Sequence, residues 1–262
     1  VFAPVVLVGR RTVKDLAASY LNRRSNELQP GGFKSVRFSV GLFASVYGSR
    51  AIGAVTRDDA LGFVRKVAQL GPNAGKSWRT RGYGLDQLLA VSGAEKISAN
   101  TQRRTVSQVS HFLDWAVYEG ELVANPFSSV KVEAKGRTRS YVAPTDEEVR
   151  KLIQADDQRI GEVLKVCLLT GMRAGEAVGL VREDLVWKRN LGWFAWIRPN
   201  EVRSLKTDAA ERLVPLHSSL TPLLARVPQR GRLFPDHTVD MVTKRFATLR
   251  TTLGLQRPGL VF

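Results

Sequence analysis

Leu168-Leu-Thr-Gly-Met-Arg-Ala-Gly-Glu-Ala-Val-Gly-Leu180 begins as the tail of one helix and ends inside the next. Ile160 to Leu169 reads as a largely apolar, buried helix, and Gly171 lets the backbone turn tightly where it stops. Arg173 then projects from the start of the following helix. Glu176, three residues on, lies on the same face and can hold the guanidinium in one orientation. A fixed guanidinium fork suits bidentate contact with a phosphate. The same two residues could instead be a structural i,i+3 ion pair on a surface helix, an arrangement that is common and weak.

Working outward, Thr145-Asp-Glu-Glu148 is a full capping box that leads Val149, Leu152 and Ile153 into a helix. Downstream the pattern changes to short β-type runs at Trp193-Phe-Ala-Trp-Ile197, Val202 to Lys206 and Arg212-Leu-Val-Pro-Leu216. Asp208-Ala209-Ala210 is expected to turn the last two runs into a hairpin. Val239, Val242, Phe246, Leu249 and Leu253 mark a final amphipathic helix that ends at Gly254. Residues 144–262 therefore read as a mostly helical domain with a small antiparallel β-sheet.

Residues 127–143 carry Lys131, Lys135, Arg137, Arg139 and Gly136 with little periodicity, and read as a basic linker. Extended, it would reach about 55 Å, enough to carry the chain around a duplex; an ordinary surface loop is the alternative. Upstream, Thr12-Val-Lys-Asp15 resembles a capping box, followed by the stripe Val13, Leu16, Ala17, Tyr20, Leu21. Val36, Val40, Phe43, Ala44 and Tyr47 form a second stripe. Thr56-Arg-Asp-Asp59 opens a third helix carrying Leu61, Val64 and Ala68. Leu85, Leu88 and Leu89 mark a fourth. Val106, Val109, Leu113, Ala116 and Val117 mark a fifth, which ends at Gly120 before Asn125-Pro126. Residues 1–126 thus read as a small helical bundle, and the fold class as mainly α. The apolar opening Val1 to Val8 reads as an early strand or an extended arm, without the basic flank of a signal peptide. Because the chain opens on Val rather than Met, residues upstream are expected to be missing from it.

Composition narrows the function. Apolar content of 44% excludes a wholly disordered chain, and no apolar run approaches the roughly 20 residues that span a bilayer. Cys167 is the only cysteine, so no internal disulfide can form; it reads as a small buried hydrophobe in a reducing, intracellular protein. His111, His217 and His237 lack ligand spacing, and no metal site is expected. The formal charge is +16. Residues 1–126 hold 17 Lys and Arg against 9 Asp and Glu, and residues 127–262 hold 23 against 15, so each part carries +8. An even excess suggests that both parts face a polyanion, nucleic acid first among them. No basic amphipathic helix points to a membrane surface. Lys76, Arg79 and Arg81, near Trp78 and Tyr83, could form a DNA-facing loop, although the aromatics could equally be core.

Thr170, Gly171, Arg173, Glu176 and Leu180 match the Thr-Gly-x-Arg-x-x-Glu-x-x-x-Leu core of the tyrosine recombinases, and the chain resembles this phage-integrase family. Ser204-Leu-Lys-Thr-Asp-Ala-Ala-Glu-Arg-Leu-Val-Pro-Leu216 resembles the family's β-hairpin segment, with Lys206 at the position of its active-site lysine. Lys206 could otherwise simply keep an edge strand soluble. Asn100 to Phe127, with Arg103 and Arg104, resembles the last helix of the core-binding domain and its exit.

The resemblance implies a core-binding domain at 1–126 and a catalytic domain at 144–262, joined by the basic linker and clamping duplex DNA. It implies site-specific recombination through a 3′-phosphotyrosyl intermediate, for DNA integration by a mobile genetic element. In that scheme Arg173 stabilises phosphate charge, Glu176 orients it and Lys206 is general acid. DNA contacts are expected from Lys76, Arg79, Arg81, Arg103, Arg104, Lys131, Lys135, Arg137 and Arg139. No cofactor is implied, and a homo-oligomer, a tetramer on paired sites, is. The implied setting is the cytoplasm of a bacterium, with the protein bacterial, phage or mobile-element encoded. The family's His-x-x-Arg box and nucleophilic tyrosine have no counterpart: Tyr20, Tyr47, Tyr83, Tyr118 and Tyr141 all precede Arg173. The chain is therefore expected to be a fragment, inactive as it stands. A DNA-binding protein that never cuts, or an RNA-binding protein with a similar charge pattern, are the competing readings.

Overall fold

The computed structural model describes residues 9–132, 141–205 and 208–260. The chain divides into two compact units, Val1–Thr138 and Arg139–Phe262, and each is built around its own core. The opening run Val1 to Val8 lies outside the described residues.

The first unit is helical: α1 (Val13–Glu27), α2 (Pro30–Tyr47), α3 (Arg57–Ala68), α4 (Leu85–Ala90) and α5 (Ala99–Tyr118). Three starts follow from local polar chemistry. Thr12 and Ser98 accept the backbone N–H of the third residue of α1 and α5, and Thr56 forms a reciprocal capping box with Asp59 at α3. The fifth helix stops where Gly120 adopts φ +75°, a conformation that glycine takes without steric cost.

Packing follows the expected stripes with one correction. On α3 the buried residues are Ala60, Phe63 and Val67, whereas Leu61, Val64 and Ala68 flank them half-buried. The reason is aromatic: Phe63 meets Phe43 edge-on at 5.3 Å, and both meet Phe127, at 6.1 and 5.8 Å. The larger ring sets the helix rotation. Phe127 is therefore core, and the stretch read as linker is tied down at its start. Asn125 does the tying: its amide donates to Ser110 and Asp114, and its carbonyl accepts the Phe127 N–H. At the other end Val142 packs on the second core and donates its N–H to Gly259.

The second unit contains α6 (Asp146–Gln154), α7 (Gly161–Thr170), α8 (Ala174–Val178), α9 (Thr221–Ala225) and α10 (Val239–Thr252). Its sheet has three antiparallel strands in the order β1 (Leu185–Lys188), β2 (Gly192–Ile197), β3 (Arg212–Pro215). This differs from the hairpin expected of residues 202–206 and 212–216. β3 pairs with β2, from Phe194 opposite Pro215 to Ile197 opposite Arg212, and Val202 to Leu205 form no strand. The cause is Arg203, a charged residue inside a β-like run, which is drawn into the protein by a buried acid. The first strand, Leu185–Lys188, is not among the runs expected from the sequence.

Helix α7 packs Val163, Leu164 and Val166 inward, and α10 supplies Val242, Phe246 and Leu249; Val239 is exposed. Asp157 fastens the two helices. Its carboxylate accepts the N–H groups of Arg159 and Ile160 ahead of α7 and the Arg245 guanidinium of α10 at 2.7 Å.

At the entry to α6, Thr145 and Glu148 form the capping box, and Arg257 grips Glu148 at 2.7 and 3.1 Å. The Arg257 hydrogen bonds, then the Thr145 N–H, hold the Glu148 carboxyl pKa at about 2. Thr145→Ala removes the acceptor for the Glu148 N–H. It is expected to lower the stability of the second unit by about 1 kcal/mol. Urea unfolding followed by circular dichroism checks this; an unchanged midpoint would show the cap to be idle.

Candidate phosphate-binding site on the second unit

The sequence places Arg173 at a turn between two helices, and the structure builds that turn from local bonds. Helix α7 ends with the Thr170 hydroxyl donating to the Val166 carbonyl and Gly171 at φ +67°, its N–H donating to Cys167 O at 2.9 Å. The left-handed glycine reverses the chain, as C-terminal caps commonly do. Met172 is then buried and Arg173 becomes the N-cap of α8, with extended backbone at φ −68° and ψ 151°.

The expected Arg173–Glu176 contact is present. The Arg173 backbone N–H donates to Glu176 Oε2 at 3.0 Å, and its Nη1 donates to Oε1 at 2.8 Å. The two side chains differ sharply in exposure: Arg173 is 77% open to solvent and Glu176 only 7%. A buried carboxylate thus anchors an outward-facing guanidinium, which keeps its remaining donors available.

Two residues that the sequence did not single out complete the arrangement. Arg212, from β3, donates from Nη2 to Glu176 Oε2 at 2.7 Å and from Nη1 to Oε1 at 3.2 Å. Burial pushes the Glu176 pKa up, but the Arg212 hydrogen bonds and those from the Arg173 backbone and side chain outweigh it, leaving the group at about 2. Because the folded value lies below the ordinary carboxylate value, the cluster's contribution to stability is complete above that ordinary value. It is lost as pH falls through about 2.

Arg203 lies beneath. Its Nη1 donates to Glu176 O at 3.0 Å and its Nη2 to Asp184 Oδ2 at 3.0 Å, while Nε and Nη2 both reach Arg198 O. Asp184 is fully buried and also accepts Val181 N–H, Asn200 Nδ2 and Arg198 Nε. A buried charge pair of this kind is tolerable only with its remaining polar atoms bonded, as here. Gly179 makes room for it: a Cβ there would sit 3.0 Å from Arg203 Cβ. The available signal was an Arg within a short β-like run and an acid in Glu183-Asp184-Leu185.

Lys206 lies outside the described residues, as do Lys135, Arg137 and Arg139. The chain on either side of Lys206 is anchored: Leu205 packs on the core, and Arg212 grips Glu176. Cys167 is half-buried rather than buried, and burial, with the nearby Glu176 charge, pushes its thiol up to about 12. Tyr20 and Tyr47 are buried in the first unit, and burial raises both phenols' pKa values. Neither is suited to nucleophilic attack.

In the first unit Lys76, Arg79 and Arg81 share the turn-rich connection between α3 and α4, and all three are exposed. Trp78 is 79% exposed and Tyr83 is also open, so the alternative that these aromatics are core does not hold. Arg79 stacks over the Trp78 ring at 5.2 Å. Arg103 and Arg104 are exposed on α5, and Lys131 is exposed beyond it. Among the described residues, Lys76, Arg79, Arg81, Arg104 and Lys131 form no ion pair. Nor is any helix among those residues long and apolar enough to cross a membrane.

No family model matches the sequence. A relative in Escherichia coli (strain K12), named as the defective protein IntQ, is 23% identical over 235 residues. The match covers 88% of this chain and 56% of that protein, so the chain spans little more than half the relative's length. Several solved structures share the fold. One is a lambda integrase(75–356) dimer bound to a COC′ core site, with TM-score 0.68 and 13% identity over 95% of this chain and 84% of that one. A lambda integrase tetramer bound to a Holliday junction gives TM-score 0.66 and 13% identity, covering 95% and 68%. The Tn1549 transposon integrase (aa 82–397) with circular intermediate DNA gives 0.61 and 15%, covering 94% and 80%. The fold of this chain is that of the integrase structures: a helical unit followed by a mainly helical unit with a small antiparallel sheet.

Proposed function

We propose that this chain is the larger part of a tyrosine-type site-specific DNA recombinase, acting on duplex DNA as a homo-oligomer. The observation that carries the proposal is the exposed Arg173 guanidinium mounted on the buried Glu176 carboxylate, in a chain with an integrase fold. The guanidinium fork matches the non-bridging oxygens of a phosphodiester. In the proposed reaction a tyrosine supplied from outside these 262 residues attacks the DNA phosphorus. The P–O bond to the 5′ oxygen breaks, leaving a 3′-phosphotyrosyl enzyme and a 5′-hydroxyl. Arg173 stabilises charge on the phosphoryl oxygens, Glu176 orients it, and Lys206 protonates the leaving oxygen. Lys76, Arg79, Arg81, Arg103, Arg104, Lys131, Lys135, Arg137 and Arg139 contact the DNA backbone. The tetrameric lambda integrase on a Holliday junction supports assembly on paired sites, and the reading implies a bacterial or phage-encoded protein in the cytoplasm.

A second reading, a duplex-binding protein that does not cut, is favoured by the description of the curated relative as defective. Competition tests the shared part of both. Unlabelled duplex DNA should displace a labelled duplex from the chain at far lower concentration than a structured RNA does, and equal displacement would remove both readings. The complete gene product, offered a nicked duplex, separates them: a covalent adduct supports the recombinase, and tight binding without an adduct supports the non-cutting protein.

A further inference from the structure

We infer that Arg212 is a positioning residue for the proposed cleavage site: by gripping both oxygens of Glu176 it makes that carboxylate a rigid mount for Arg173. The inference rests on the reading that Arg173 meets the scissile phosphate.

Arg173 and Glu176 alone would be a poor mount. The side-chain contact is a single bond between neighbours one helical turn apart, with the arginine largely in water, and such pairs are weak. Helix α8 has only five residues to stiffen it. Arg212 comes from a separate element and supplies two bonds, at 2.7 and 3.2 Å. Its own place is set by the β-ladder, opposite Ile197, and by donation to Ala210 O at 3.1 Å. Both Nη atoms bond Glu176 and the side chain is 37% exposed, whereas Arg173 is 77% exposed and makes one side-chain bond to that carboxylate. One carboxylate thereby joins the start of α8 to the end of the connection that carries Lys206. The depressed Glu176 pKa, about 2, is consistent with that grip.

The test uses the complete gene product on a nicked duplex that traps the covalent adduct. Arg212→Gln should slow adduct formation by about 10–100-fold, since a small misplacement of a catalytic group costs that much. DNA affinity should be nearly unchanged. In an Arg173→Ala background Arg212→Gln should add no further loss, because a residue acting only through Arg173 has nothing left to position. An equal loss in both backgrounds, or no loss with Arg173 present, overturns the inference. On the 262-residue chain, NMR titration of the Glu176 carboxyl should show its pKa rise from about 2 toward the ordinary value in Arg212→Gln. An unmoved titration also overturns it. If circular dichroism shows Arg212→Gln unfolded, Arg212→Lys takes its place with a smaller loss of the same pattern. Normal cleavage by Arg173→Ala alone would instead sink the proposed function, and this inference with it, a result distinct from either failure above.

Discussion

Arg173→Ala in the complete gene product is expected to reduce covalent adduct formation on a nicked duplex by about 10²–10³-fold, the usual effect of removing one preorganised donor from a charged transition state. The donor is preorganised because the anchor is buried while the guanidinium is not. In the proposed reaction little reorganisation is then needed when charge builds on the phosphoryl oxygens. Arg173→Lys should recover only part of the loss, since an ammonium is a point charge without the planar fork. Binding should suffer far less than chemistry, because Arg173 is one cation among forty Lys and Arg. The measurement is single-turnover adduct yield at saturating protein, which separates the two. Undiminished cleavage by Arg173→Ala would end the recombinase reading at its strongest point.

The part of this site legible in the sequence is the part that is local. Gly171, Arg173 and Glu176 lie within six residues, so helical periodicity and the conformational needs of a turn suffice to relate them. Arg212 and Arg203 reach the same carboxylate and its backbone from 36 and 27 residues away. No periodicity connects such positions: the pairing of β2 with β3 places Arg212, and the contact with buried Asp184 places Arg203. The hairpin error has the same origin. Val202 to Leu205 lies between turn-forming residues like a short strand, but Arg203 has a buried acid to meet, and that contact overrides the local preference. In the helical unit the stripes on α1, α2 and α5 stand as read, because helical burial follows a 3.6-residue period. On α3 the expected stripe of Leu61, Val64 and Ala68 gives way to Ala60, Phe63 and Val67, because Phe63 packs on Phe43 and Phe127. Those contacts also draw residue 127 into the core, past the point where the drop in periodicity suggested a linker.

Binding of the 262-residue chain to duplex DNA is expected to weaken by about 10³-fold between roughly 50 and 200 mM salt. The arithmetic assumes about six phosphates neutralised, which gives a slope of log affinity against log salt near −5. Net charge alone does not say which cations are free, because Asp and Glu offset 24 of the forty. The structure divides them. Arg23, Arg24, Arg50, Arg198, Arg203, Arg212, Arg245 and Arg257 are each engaged with a carboxylate. Lys76, Arg79, Arg81, Arg104 and Lys131 are exposed with no ion pair among the described residues, so they meet a phosphate without first giving up a carboxylate. Lys76→Ala with Arg81→Ala should therefore make the slope shallower by about 2, since each phosphate left without its cation keeps about one counterion condensed on the DNA. Fluorescence anisotropy over a salt series reads both quantities. A slope near zero for the parent chain would remove nucleic acid as its partner. A steep slope left unchanged by the double substitution would move the DNA contact away from the connection between α3 and α4.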